Sequence, residues 1–175
     1  EITMTTPDAL AVIAQSRAAL DTALIGVGSV LSGRGARDAL AAGAQFVVSP
    51  VFKDEIVEVA HAADAPCVPG AFTPTEILRA ADAGADAVKV FPAGRFGPRY
   101  LQDVLAPMPH LKLTPTGGVN LDTAADWIAA GAVFLGAGSA LVTKQALAAG
   151  DLGEIERRAG AFVRTVAQAR SGGEA

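Results

Sequence analysis

One feature limits what this chain can fold into more than any other: a short apolar run that returns at a nearly constant interval. The runs are residues 23–29 (ALIGVGS), 46–50 (FVVSP), 67–71 (CVPGA), 87–92 (AVKVFP), 112–118 (KLTPTGG) and 133–139 (VFLGAGS), so successive starts lie 20–25 residues apart. Alanine-rich, helix-like stretches separate them. Three of these stretches close on the same triplet, Ala42-Gly43-Ala44, Ala83-Gly84-Ala85 and Ala130-Gly131-Ala132. Glycine there reads as a C-cap in the left-handed conformation that stops a helix.

The repeat is therefore a βα unit. Continuous apolar strands imply burial on both faces, as in a parallel sheet. A doubly wound sheet has less even units and a glycine-rich dinucleotide turn. Here Gly26-Val27-Gly28 is a lone GxG, which carries little weight. The regularity favours an α/β fold of the (β/α)8, or TIM-barrel, class. Counting Glu1-Ile2-Thr3-Met4 as a strand gives seven. A closed barrel needs eight, so the first βα unit is expected upstream of Glu1. Residues 1–175 read as a single barrel domain, without a linker, and its last helix frays into Ser171-Gly172-Gly173.

Composition narrows the function classes. Half of the chain is apolar (51%), net charge is −4, and no basic block is present, which argues against a nucleic-acid surface. Cys67 is the only cysteine, so no intrachain disulfide can form, and a cytoplasmic location fits. No apolar run approaches the roughly 20 residues that span a bilayer.

Lys89 is the most informative residue. It interrupts the buried strand Ala87-Val88-Lys89-Val90-Phe91-Pro92. Strand alternation puts it on one face with Ala87 and Phe91, pointing into the barrel, and sends Val88 and Val90 towards the helices. Burial disfavours an ammonium and leaves neutral amine available. A neutral amine can attack a ketone and form an iminium, an electron sink for carbon–carbon cleavage. A structural, salt-bridged lysine is the competing reading. Glu1 shares strand parity with Thr3, so its carboxylate can face the same interior and move protons through water. A terminal, solvated glutamate is the plainer alternative. Thr114-Pro115-Thr116-Gly117-Gly118 and Gly136-Ala137-Gly138-Ser139 end successive strands. Loops after the last strands of such barrels commonly hold phosphate on backbone N–H groups. Ser29 ends another strand and can donate to a carboxylate or cap a helix. His61 and His110 lack partners at metal-ligand spacing. Cys67 reads as a small core residue and Trp127 as packing, with a subunit contact as a second option. The loop around Arg95, Phe96, Arg99 and Tyr100 can shape the pocket mouth or an interface.

These blocks, in this order, resemble the 2-keto-3-deoxy-6-phosphogluconate (KDPG) aldolases, which also act as 4-hydroxy-2-oxoglutarate (KHG) aldolases. The motifs are Glu1-Ile2-Thr3, Ile25-Gly26-Val27-Gly28-Ser29-Val30-Leu31, Ala44-Gln45-Phe46-Val47-Val48-Ser49-Pro50 and Pro69-Gly70-Ala71-Phe72-Thr73-Pro74-Thr75-Glu76. They continue with Ala87-Val88-Lys89-Val90-Phe91-Pro92-Ala93, Pro115-Thr116-Gly117-Gly118-Val119 and Gly136-Ala137-Gly138-Ser139, so the likeness runs to about Ala169. The resemblance implies a class I aldolase with Lys89 as Schiff-base residue and Glu1 as general acid/base. It places Ser29 near the pyruvate carboxylate, where members usually carry threonine, and Thr116 where aldehyde stereochemistry is affected. Gly117, Gly118 and Ser139 match the positions that hold the substrate phosphate, and Phe91 joins the substrate-binding set. It also implies a homotrimer that needs no metal or other cofactor, with a phosphorylated keto-deoxy sugar acid and pyruvate as partners. The departure is Thr5, at a substrate-contacting position where the best-known members have arginine; Arg95 or an upstream residue could replace that charge. Relatives acting on the phosphogalactonate epimer share the Phe-Gly-Pro feature after the lysine strand. Two other classes remain: a lysine-independent phosphosugar isomerase or synthase on a similar barrel, and a non-catalytic trimeric barrel.

Overall fold

The computed structural model describes residues 1–172, so Gly173 of the fraying tail lies outside the described residues. The chain divides into two compact units, residues 1–89 and 90–175.

The first unit carries a parallel sheet of β1 (Ile2–Thr3), β2 (Val27–Gly28), β3 (Val47–Val48) and β4 (Cys67–Val68), in that order. Register is tight: Ile2 pairs with Val27, Thr3 with Gly28, Val27 with Val47, and Val47 with Cys67. The helices α1 (Ala9–Ala19), α2 (Gly33–Ala41) and α3 (Asp54–Ala62) follow the first three strands. Their apolar stripes, including Ile13, Ala36, Ala39, Ile56 and Ala60, bury Val27, Val47 and Cys67 on one face of the sheet. Ile2 and Met4 pack against this same layer. The opposite parity forms a second, smaller cluster of Val48, Val68 and Ala87, with Phe46 against it. Both faces of these strands are thus covered, as the apolar runs require.

The run 67–71 yields two short strands rather than one: β4 stops at Val68, and β5 (Gly70–Ala71) resumes after Pro69. Proline brings no N–H to a ladder, which accounts for the break. Next comes α4 (Pro74–Asp82), opened by a capping box in which Thr73 accepts from Glu76 N–H and the Glu76 side chain returns to the Thr73 N–H. β6 (Val88–Val90) begins beside β5, with the Lys89 N–H donating to Pro69 O at 2.9 Å.

In the second unit, the Val90 end of β6 runs beside β7 (Leu113–Pro115), and Thr116 N–H donates to Val90 O at 3.0 Å. The helices are α5 (Pro98–Leu105), α6 (Leu121–Ala129), α7 (Lys144–Ala149) and α8 (Leu152–Ser171), with α6 packed on α8. Trp127 of α6 is 1% exposed, which makes it an interior packing residue and rules out the subunit-contact option. The run 133–139, expected as a strand, forms only one isolated parallel bridge, Thr116 to Gly136, with a second, Leu113 to Ala132, just before it. Those partners are three residues apart on one side and four on the other, so the extra residue breaks the ladder. The triplet glycines behave as read: Gly43, Gly84 and Gly131 have φ of 104°, 92° and 98°.

Candidate active site

Strand parity assembles the chemistry of the first unit. Ile2 and Met4 face the helices, so Glu1 and Thr3 face the other way. Ala87 belongs to the opposite cluster, and Lys89 shares its face. Lys89 is 7% exposed. Burial pulls its pKa below the ordinary lysine value, and the negative charge of Glu1 acts in the opposite direction. A desolvated amine thus lies within the field of an exposed carboxylate, which is what imine chemistry asks for.

Glu1 lies against an unexpected neighbour. A Cβ built on Gly28 would overlap Oε1 of Glu1 and lie 2.5 and 2.7 Å from its Cδ and Cγ. The glutamate side chain therefore lies across the bare Cα of the glycine on the neighbouring strand. Periodicity carries no direct sign of this, because the feature is a missing side chain; the parity of Gly26-Val27-Gly28 is the one signal that points to it. Ser29, the next residue, is half-buried and adopts φ 58°, which is unusual away from glycine and turns the chain sharply at the strand end. Thr5 is exposed, and its hydroxyl pairs with Thr3 Oγ1 at 2.8 Å; Thr3 Oγ1 also lies 3.3 Å from Thr6 Oγ1.

The second unit gathers the other site residues. Phe91, Thr116, Gly117, Gly118 and Ser139 line one cleft of about 350 Å³, together with Val119, Asn120, Gly136, Gly138 and Ala140. Gly117 and Gly118 take φ of 82° and 88°. The loop is pressed against residues 93–94: Ala93 N–H donates to Thr116 O at 2.9 Å and Gly94 N–H to Gly117 O at 2.7 Å. A Cβ on Gly118 would sit 2.7 Å from the Gly94 Cα, so only glycine fits there. The Phe91 ring lies over Gly117, and the Thr116 side chain occupies the space a side chain on Gly136 would need. Asn120, which the sequence reading passed over, caps α6 at the edge of this cleft by accepting from Thr123 N–H at 3.0 Å. Arg95 is exposed, in a single 3-10 turn at Ala93–Arg95. A larger cleft of about 500 Å³, walled by Phe134, Phe162 and Val163, is mostly apolar and holds none of the site residues.

Other titratable groups are structural. Asp86 bridges Cys67 N–H at 2.8 Å and His61 Nε2 at 3.0 Å. Desolvation pushes its carboxyl up, but the Cys67 and His61 hydrogen bonds outweigh it and hold the pKa below the ordinary aspartate value. The sequence reading missed this pair because His61 and Asp86 sit on different units of the repeat. Cys67 is fully buried, and burial, helped by the Asp86 charge, pushes its thiol up to about 12. Among the described residues, no group of three or more His, Cys, Asp or Glu is placed to hold a metal ion.

A buried strand lysine within the field of an exposed carboxylate, on a repeating βα frame, is an arrangement that can support Schiff-base chemistry. The family model for KDPG and KHG aldolases matches residues 1–158, and the chain belongs to that family. A 2-dehydro-3-deoxy-phosphogluconate aldolase of Treponema pallidum is 38% identical over 156 residues, covering 89% of this chain and 74% of the relative. Among solved structures, one described as native KDPGal superimposes with a TM-score of 0.83 at 30% identity, over 96% of this chain and 79% of that one. A KDPG aldolase of Legionella pneumophila, with pyruvate captured as a covalent carbinolamine, gives a TM-score of 0.81 at 26% identity, over 95% and 78% of the two chains. The fold is of the TIM-barrel type that these aldolases share.

Proposed function

We propose that this protein is a class I aldolase that cleaves 2-keto-3-deoxy-6-phosphogluconate to pyruvate and glyceraldehyde 3-phosphate, with 4-hydroxy-2-oxoglutarate as a second substrate. The observation that carries the reading is Lys89: a 7% exposed lysine with a depressed pKa, sharing strand parity with Ala87 of the smaller buried cluster. Membership of the aldolase family supports the same reaction.

Neutral Lys89 Nζ adds to the C2 ketone, and the carbinolamine loses water to give the iminium. Glu1, acting through a water molecule, shuttles protons in the dehydration and then takes the proton of the C4 hydroxyl. The C3–C4 electron pair moves into the iminium as the bond breaks. Glyceraldehyde 3-phosphate leaves, and an enamine remains on Lys89. Protonation at C3 and hydrolysis of the iminium release pyruvate and restore the amine. Ser29 binds the pyruvate carboxylate, and Thr5 lies at the position of a further substrate contact. Gly117, Gly118 and Ser139 take the phosphate, supported by the glycine-lined cleft they share. Thr116 and Phe91 shape the same cleft and act on the aldehyde portion.

Residues 1–175 act as one catalytic domain in this reading, in a cytoplasmic homotrimer; light scattering on the purified protein tests the oligomer. The activity itself is tested by pyruvate release from the two phosphorylated epimers and from 4-hydroxy-2-oxoglutarate. Lys89→Met should abolish turnover of all three, with a loss above about 10⁴-fold. Turnover by that variant at the parent rate would instead favour a lysine-independent phosphosugar enzyme.

A further inference from the structure

We propose that Gly28 is the positioning residue for Glu1: its bare Cα is the seat on which the Glu1 carboxylate rests, and any side chain there would unseat the proton-transfer group. The inference rests on the role given to Glu1 above.

Thr3 pairs with Gly28 across β1 and β2, so the two strands fix where the Glu1 side chain leaves the backbone. The three atoms nearest to a Cβ on Gly28 are Oε1, Cδ and Cγ of Glu1, all closer than real Cβ contacts allow. Gly28 itself has no positive φ, so the backbone does not demand glycine at this position. A side chain there would have to displace the Glu1 carboxylate. Gly26, two residues earlier on the same face, makes the comparison: there the Phe46 ring fills the side-chain position, which is a packing contact. At Gly28 the occupant is a carboxylate whose charge is felt by Lys89. A side chain of one carbon would push that carboxylate outward by about an ångström or more, and displacement on that scale costs catalysis about 10²-fold.

The test is a double-mutant cycle of Gly28→Ala and Glu1→Ala, followed by pyruvate release and by the pH dependence of borohydride trapping with pyruvate. Gly28→Ala should lower kcat at least tenfold with KM changed less than about threefold. In the Glu1→Ala background, the same substitution should change the residual kcat less than twofold, because the clash and the group it displaces are both gone. The trapping midpoint of Gly28→Ala should move to lower pH, as it should for Glu1→Gln, since Lys89 loses a nearby negative charge in both. Equal losses from Gly28→Ala in both backgrounds, or no loss in either, would overturn the proposal. Should Gly28→Ala alone fail to fold, a folded double variant upholds the seat, and a misfolded double variant refutes it. Parent-like activity of Glu1→Ala would instead remove the role of Glu1 on which the inference stands.

Discussion

Lys89 is expensive to bury and is buried nonetheless. A methionine of similar length would keep the packing and remove the desolvation. Lys89→Met is therefore expected to abolish turnover while stabilising the fold by about 1 kcal/mol, read as a higher Tm. A lower Tm would mean that the lysine is structural, the competing reading raised by the sequence alone. The partner residue makes a prediction in pH. Burial lowers the Lys89 pKa and Glu1 raises it, so Glu1→Gln leaves burial to act with less opposition. The midpoint for amine reactivity should then shift to lower pH, while turnover falls about 10²–10⁴-fold through lost proton transfer. An upward shift would contradict the electrostatic pairing of these two residues. The face of Lys89 was legible in the sequence because strand parity is a strict rule and a charge in an apolar run shows its side; Glu1 came from the family resemblance, since parity alone left a solvated terminal glutamate as the plainer reading. Gly28 and the φ of Ser29 were not legible, since neither an absent side chain nor a left-handed serine leaves a periodic trace.

The elements are small and rely on polar ties at their ends. Asp86 ties the start of β4 through the Cys67 N–H and reaches His61 at the end of α3. Its folded pKa is depressed, so the associated stability is present above the ordinary value near 3.8 and is lost as pH falls through the folded value. Asp86→Asn should be destabilised by about 0.5–1 kcal/mol at pH 7 and converge on the parent as pH falls through the depressed carboxyl pKa, followed by urea unfolding at several pH values. A difference that persists in acid would show the effect to be one of packing. Thr73 of the α4 capping box makes a second such tie: Thr73→Ala should cost about 1 kcal/mol. Most βα units could be read from the apolar runs and the Ala-Gly-Ala stops. The run 67–71 was overextended because the effect of Pro69 on the ladder is local, and 133–139 because the four-for-three register is set by the partner strand.

At the scale of the whole molecule, strand parity in residues 1–89 sets the candidate reactive side chains on one face and an inert helix-packed layer on the other. Cys67, the lone cysteine, lies in that inert layer with its thiol pushed up to about 12. It should be unreactive towards disulfide reagents in the native state and react at the rate at which the sheet opens, so urea that unfolds the protein should expose it in the same transition as the loss of helix signal. Fast native labelling would mean that the sheet opens on its own. The chain belongs to the aldolase family, and the reaction proposed for it passes through a covalent bond to Lys89 Nζ. The most direct test is the mass of the intact protein and of its peptides after incubation with pyruvate and sodium borohydride. A single reduced pyruvyl adduct on the peptide bearing Lys89 is the expected result. A folded protein with no adduct, or an adduct on another lysine, would contradict it.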